Sequence, residues 1–222
     1  MKHGRRTLMI VMVFAMLLAL AASLPAAAQK AGPPSGTELD ETEIHHLQFI
    51  REEEKLAHDV YTVLYEKWGS PIFANIAESE QKHTDAMANL LAYYDVDDPY
   101  VEGIGNFSDT EGGIYIKGLY ELLTEWGLKS EVDAMLVGGY IEEYDILDIW
   151  LAHDETDEER IQTVYVNLYE GSYNHLDGFV HNYNLLSDVD YVPQLLEGAD
   201  YEYVLSCVDK APKHPDKNET TE

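Results

Sequence analysis

The chain has 222 residues, of which 42 are Asp or Glu and 14 are Lys or Arg, giving a formal net charge of −28. So acidic a composition argues against binding nucleic acid or anionic lipid, which need basic contacts to phosphate; it suits a cation-handling protein, a salt-adapted one or a merely soluble one. The one cysteine, Cys207, rules out an intramolecular disulfide, so a packed core must hold the fold, and Cys207 itself reads as a small apolar residue.

Residues 1–28 read as an export signal. Lys2, Arg5 and Arg6 precede an apolar run from Leu8 to Leu24, and Pro25-Ala26-Ala27-Ala28 supplies an A-x-A cleavage pattern. Cleavage leaves Gln29–Glu222 as an exported chain with no inserted segment. An uncleaved anchor is the alternative, because the run approaches spanning length. Residues 29–39 form a Pro/Gly linker and residues 40–207 one domain. Residues 208–222 form a tail without apolar periodicity, expected to be disordered. Asn106-Phe107-Ser108 and Asn218-Glu219-Thr220 match the glycosylation pattern.

The domain predicts helices throughout, with no strand-like alternation. The first runs from Asp40 to Trp68, with Leu47, Ile50, Glu54, Ala57, Tyr61, Leu64 and Trp68 recurring at steps of three or four. Gly69 ends it, and Ser70-Pro71 opens the second helix as N-cap and first residue. The stripe of that helix is Phe73, Ile76, Ala77, Glu80, His83, Met87 and Leu90, and it ends near Tyr94. Residues 96–129 form a long connection able to cross the end of a bundle. Gly103, Gly105, Gly112 and Gly113 mark irregular backbone there, and a short helix spans Ile116 to Trp126. The third long helix runs from Ser130, with Asp133 as capping partner, to His153. The fourth runs from Thr156, with Glu159 as capping partner, to Leu186. A short last helix covers Val192 to Cys207.

Each long helix carries a candidate metal ligand near its middle: Glu54 on the first, Glu80 and His83 on the second, Glu142 or Glu143 on the third, and His175 on the fourth. Glu80 and His83, at i and i+3, project from one helix face. Taken singly these are ordinary residues: Glu52-Glu53-Glu54 reads as a solvated charge run, Glu80–His83 as a surface pair and His175 as a core histidine. Taken together they lie at one level of a bundle. Several carboxylates facing one another in a core are tolerated if protonated or if a cation sits between them. His58, one turn from Glu54, is the only other histidine near this set.

Four segments then carry a family resemblance: Arg51-Glu52-Glu53-Glu54-Lys55-Leu56-Ala57-His58-Asp59-Val60-Tyr61, Phe73-Ala74-Asn75-Ile76-Ala77-Glu78-Ser79-Glu80-Gln81-Lys82-His83, Ile141-Glu142-Glu143-Tyr144-Asp145-Ile146 and Gly171-Ser172-Tyr173-Asn174-His175-Leu176. Over residues 40–186 the chain resembles the rubrerythrin/ferritin-like superfamily, and more closely the uncharacterised DUF2202 family. The resemblance implies an all-α, ferritin-like four-helix bundle with a long crossover between the second and third long helices and a short C-terminal helix. It implies metal ligation by Glu54, Glu80, His83, Glu142 or Glu143, and His175. Tyr61 and Tyr144 are the expected hydrogen-bond partners of these ligands. The chain departs from the pattern at Ser172, three residues before His175, where a second Glu-x-x-His would place a carboxylate. The site is then expected to hold one metal, an asymmetric pair, or a pair completed by water or by Asp145.

The expected function is that of an exported metal-binding protein, with iron the first expectation and manganese, zinc or copper the alternatives. Peroxide reduction or ferrous oxidation is the expected reaction class. The competing expectations are a non-catalytic binding module with a polar bundle core, to which the 16 tyrosines lend support, and a metallochaperone or sensor. The metal ion is the expected partner, with a homodimer left open.

Overall fold

The structure is a computed structural model that describes residues 32–33 and 38–208. The expected signal peptide, most of the linker and the tail from 209 lie outside the described residues. Among these, every regular element is helical: α1 (Glu41–Trp68), α2 (Pro71–Tyr94), α3 (Glu111–Gly127), α4 (Glu131–Asp154), α5 (Glu159–Leu186) and α6 (Gly198–Val208). No described helix is long and apolar enough to cross a membrane.

The local signals act much as the sequence predicts at α1 and α4; at α2, Ser70 and Pro71 hold the predicted N-cap and first positions, but the Ser70 side chain makes no capping hydrogen bond. Asp40 accepts from the Thr42 and Glu43 backbone N–H groups, and the Glu43 carboxylate accepts from Asp40 N, closing a capping box worth ~1 kcal/mol. Gly69, at φ 67°, turns the chain directly into α2. Ser130 accepts from Asp133 N at the start of α4.

Three boundaries differ from expectation. α3 starts at Glu111 rather than Ile116, capped by Thr110, so Gly112 and Gly113 are helical. Their role is close packing: a Cβ on Gly113 would lie 2.3 Å from Ser108 Oγ and 2.9 Å from Glu52 Oε1. α5 starts at Glu159, with Glu158 rather than Thr156 at the N-cap. The Thr156 hydroxyl donates to Glu43 Oε1 at 2.5 Å and accepts only from Glu158 N, at 3.1 Å, just ahead of the helix. α6 starts at Gly198 rather than Val192, because the chain before it wraps the carboxylate of Glu143.

α1 packs along α2 and α4 along α5; α1 also meets α4, and α2 meets α5, which closes a bundle of four long helices. α3 covers α1 and α4, and α6 lies on α5. One apolar cluster contains Ala57, Tyr61, Phe73, Ala77, Ile141 and Phe179, and a second contains Ile50, Met87, Ile149, Tyr165 and Leu168. On each long helix the candidate ligands fall between the residues given to these two clusters. The bundle therefore holds a polar layer between two apolar ones.

The charge-rich segment of α1 is buried rather than solvated. Arg51 Nε donates to Asp98 Oδ1 at 3.0 Å and its Nη1 to the Thr84 carbonyl at 2.7 Å. Lys55 pairs with Asp59 and donates to Gly103 O at 2.8 Å, while Asp59 Oδ2 accepts from Gly105 N at 2.9 Å. Glu52 Oε1 accepts from Ser108 N at 2.8 Å. Buried charges are tolerated only with partners of this kind. Here those partners pin the connection after α2 onto α1.

Candidate metal centre

Glu80 stands at the middle of the polar layer, fully buried. Its Oε2 lies 2.7 Å from His83 Nδ1, and its Oε1 lies 2.7 Å from His175 Nδ1. Glu54 Oε2 is 3.2 Å from His83 Nδ1, and Glu142 Oε2 is 3.3 Å from His175 Nδ1. The two imidazoles stack with centroids 5.6 Å apart and planes inclined by 27°. Two triads result, Glu54–Glu80–His83 and Glu80–Glu142–His175, each with one atom per residue within 4.8 Å of the others. Glu80 belongs to both.

Glu54 Oε1 and both oxygens of Glu80 are shut from water without a hydrogen-bond partner among the described residues. The contacts between Glu80 and the imidazoles are short, but they are not directed as hydrogen bonds. An unpartnered buried acceptor costs ~1–3 kcal/mol, more if charged. A cation in each triad removes that cost, and a donor set of carboxylate oxygens and imidazole nitrogen suits iron, manganese or zinc. The residues present therefore fit a metal.

The electrostatics follow from burial opposed by pairing. Burial pushes the Glu54 carboxyl up to about 7 against the charge of His83. Burial also acts to raise Glu80, but the charges of His175 and His83 overcome it and hold that carboxyl well below the usual range. Burial acts to lower both histidines, and it is outweighed by Glu54 and Glu80 at His83, which rises to about 11. At His175 it is outweighed by Glu80 and Glu142, and the pKa rises to about 10. Burial raises Glu142, with the charge of His175 opposing. Without metal, the imidazoles carry protons that balance the carboxylates.

Supporting groups fix the ligands. Tyr61 OH donates to Glu142 Oε1 at 2.5 Å, leaving Oε2 toward His175. Gly171 on α5 faces the ring of His83: a Cβ there would lie 2.8 Å from both Cε1 and Nε2. Beside the triads, Glu53 on α1 and Asp145 on α4 are both buried, and none of their four carboxylate oxygens has a hydrogen-bond partner among the described residues.

The structure brings Glu54, Glu80, His83, Glu142 and His175 together. It does not bring Glu143. Successive helical residues point about 100° apart, and the Glu143 carboxylate faces away from the triads toward residues 191–196. There it accepts from Tyr191 OH at 2.7 Å, Gln194 N at 2.8 Å, Leu196 N at 2.9 Å and Leu195 N. Ser172 turns its hydroxyl to the Leu168 carbonyl at 3.3 Å, so it contributes no ligand in the place of a carboxylate. Tyr144, expected beside the ligands, donates to Tyr115 OH at 3.3 Å instead. His58 pairs with Asp59 at 2.9 Å, away from Glu54. The burial of Glu53 was disguised in the sequence by its acidic run, and the close approach of Gly171 to His83 was not foreseen, although that residue opens the motif containing His175.

A family profile described as an uncharacterized protein domain, DUF2202, matches residues 43–208. The chain belongs to the DUF2202 family. All the residues of the two triads lie inside the DUF2202 region. The chain is 46% identical over 169 residues to the uncharacterized protein MJ0754 of Methanocaldococcus jannaschii, an alignment covering 76% of this chain and 89% of that protein. Its fold is similar to the crystal structure of the hypothetical protein MJ0754 from Methanococcus jannaschii DSM 2661, with a TM-score of 0.73 and 44% identity, covering 79% of this chain and 98% of that one. The names printed for MJ0754 state no activity.

Proposed function

We propose that this protein is an exported, ferritin-like metal-binding bundle whose centre has two positions bridged by Glu80. The observation that carries the proposal is the state of Glu80: both oxygens are buried without a directed hydrogen bond, each 2.7 Å from a different imidazole. Glu54 and His83 complete one position, and Glu142 and His175 the other. The order in which α1, α2, α4 and α5 enter the two apolar clusters supports a ferritin-like arrangement with a crossover between α2 and α4. The residue set favours iron first, with manganese, zinc or copper as alternatives. Bound iron would supply one-electron redox chemistry toward peroxide or oxygen. The chain's own part is to hold the ligands and exclude water. Tyr61 fixes one oxygen of Glu142, the apolar clusters close the layer on both sides, and His83 and His175 would each have to give up a ring proton to ligate a metal.

Elemental analysis of the purified protein tests this. About two metal ions per chain are expected, as in paired Glu/His bundle sites, falling sharply in Glu80→Gln and in His83→Ala/His175→Ala. Loss of peroxide or ferrous-iron turnover in Glu80→Gln would support a redox role; binding without turnover would favour a chaperone or sensor. A metal-free protein that stays folded and gains no thermal stability from iron, manganese, zinc or copper would overturn the metal reading. That outcome would favour a binding module with a polar core, a reading that draws on the four imidazole–carboxylate contacts already balancing charge within the layer.

A further inference from the structure

A different face of α1 borders a separate cavity. Glu54 turns toward His83 on α2, while His45, Phe49 and Glu52, at steps of three and four, line a hollow at the start of α3. Its volume is about 390 Å³, within the range of small-molecule sites. One wall is aromatic: Phe49 stands between His45 and Tyr115, with centroids 5.9 and 6.2 Å away and each plane inclined by 32°. Tyr115 is 52% exposed, so its ring can be reached from solvent. Gly112 leaves this wall uncovered, because a Cβ there would stand 3.3 Å from Phe49 Cδ2. Two carboxylates, Glu52 and Glu111, share the lining, and no Lys or Arg does. Ser108 N holds Glu52 Oε1 at 2.8 Å. The positive end of α3 does not reverse the sign of the cavity: Thr110 already accepts from Gly113 N at 3.0 Å, and both carboxylates lie at that end. A larger cavity, of about 530 Å³ at Leu39, Ile44 and Tyr94, is bordered by Glu38, which follows residues 34–37, so its walls are incomplete among the described residues.

We infer that this cavity binds a small organic cation, an ammonium ion on an aryl or alkyl chain, between the aromatic wall and the two carboxylates. Ring faces attract a cation through their quadrupole, and a carboxylate gives an ammonium group a charge-assisted hydrogen bond. An organic anion would instead meet two like charges with no Lys or Arg to offset them. The site stands apart from the Glu80-bridged centre: none of its residues belongs to either triad.

The test is a titration of the purified protein with phenethylammonium, followed by saturation-transfer NMR, with circular dichroism confirming the fold of each variant. Saturable binding is expected, weakened about three- to tenfold in Glu111→Gln and in Phe49→Leu. Hydrocinnamate, which carries the same ring on an anionic chain, is expected not to bind. Glu125→Gln, which removes an exposed acid at the other end of α3, is expected to leave the affinity unchanged. No saturable binding of phenethylammonium at millimolar concentration overturns the inference. So does equal binding of hydrocinnamate. Equal weakening by Glu111→Gln and Glu125→Gln also overturns it, because it marks diffuse attraction to an acidic surface. If Phe49→Leu fails to fold, Tyr115→Ala takes its place, and an unchanged affinity in that variant overturns the inference.

Discussion

Glu142 and Glu143 are neighbours, both buried, and both flanked by apolar residues at helical spacing. Only the surroundings distinguish them: Tyr61 meets Glu142, and the backbone of residues 194–196 meets Glu143. Those partners are distant in sequence, which is why the choice was not legible there, whereas Glu54, Glu80, His83 and His175 were legible as polar interruptions of apolar stripes. Tyr61→Phe is expected to cost about 1–2 kcal/mol by stranding Glu142, measured by chemical denaturation, and to weaken metal retention at the His175 position. The layer also predicts a pH profile for chelated protein. His83 and His175, raised to about 11 and about 10 from 6.5, stabilise the fold fully below about pH 6.5 and lose that effect as pH rises through 10 and 11. Glu54, raised from 4.5 to about 7, acts in the same sense over its own window. Glu80 is lowered, so its contribution is present above 4.5 and lost as pH falls below that. The combined contribution should therefore peak at about pH 4.5. Thermal melts of wild type against His83→Gln/His175→Gln should show the advantage of wild type shrinking from pH 6 to pH 10.

At the scale of elements, glycine was the least legible residue. Gly112 and Gly113 read as breakers, yet they let α3 begin against Phe49, Ser108 and Glu52. Gly138 on α4 is filled from the other side by Phe179, whose ring atoms Cδ1 and Cε1 would lie 2.4 Å from a Cβ. That ring is held by Tyr61 and Phe73, with centroids at 5.2 and 5.8 Å. Gly138→Ala should therefore cost roughly 1–3 kcal/mol or more through overpacking. Gly171→Ala meets the far end of an imidazole, which can rotate away. A smaller loss of stability is expected there, with a clear loss of metal at the His83 position. Denaturation and metal analysis of the two variants side by side should separate these effects. The helices themselves were legible because their apolar periods are long. The ends of α3, α5 and α6 were not: α3 opens on two glycines that read as breakers, the Thr156 hydroxyl donates to Glu43 on α1, and Glu143 draws in the backbone before α6.

For the molecule as a whole, the all-helical fold followed from the four long stripes and from the absence of strand-like alternation. The polar layer between two apolar clusters needed the structure, because it depends on how the stripes align along the bundle axis. A layer of facing carboxylates is a point of weakness without cations. Chelation is therefore expected to lower the melting temperature and to speed hydrogen exchange in the turns of α1, α2, α4 and α5 around the triads. Exchange near Gly69, remote from the layer, should change little.

The sharing of Glu80 also bears on the order of assembly. Glu54 and His83 lie 29 positions apart, on two helices joined by the turn at Gly69, so the whole first triad belongs to one helical hairpin. The second triad takes Glu142 and His175 from α4 and α5 and borrows Glu80 from α2. It exists only once both hairpins have come together. On the proposed reading, an ion in the first position can be held by half of the molecule, while an ion in the second acts as a latch. The two hairpins cannot part while that ion keeps all its ligands.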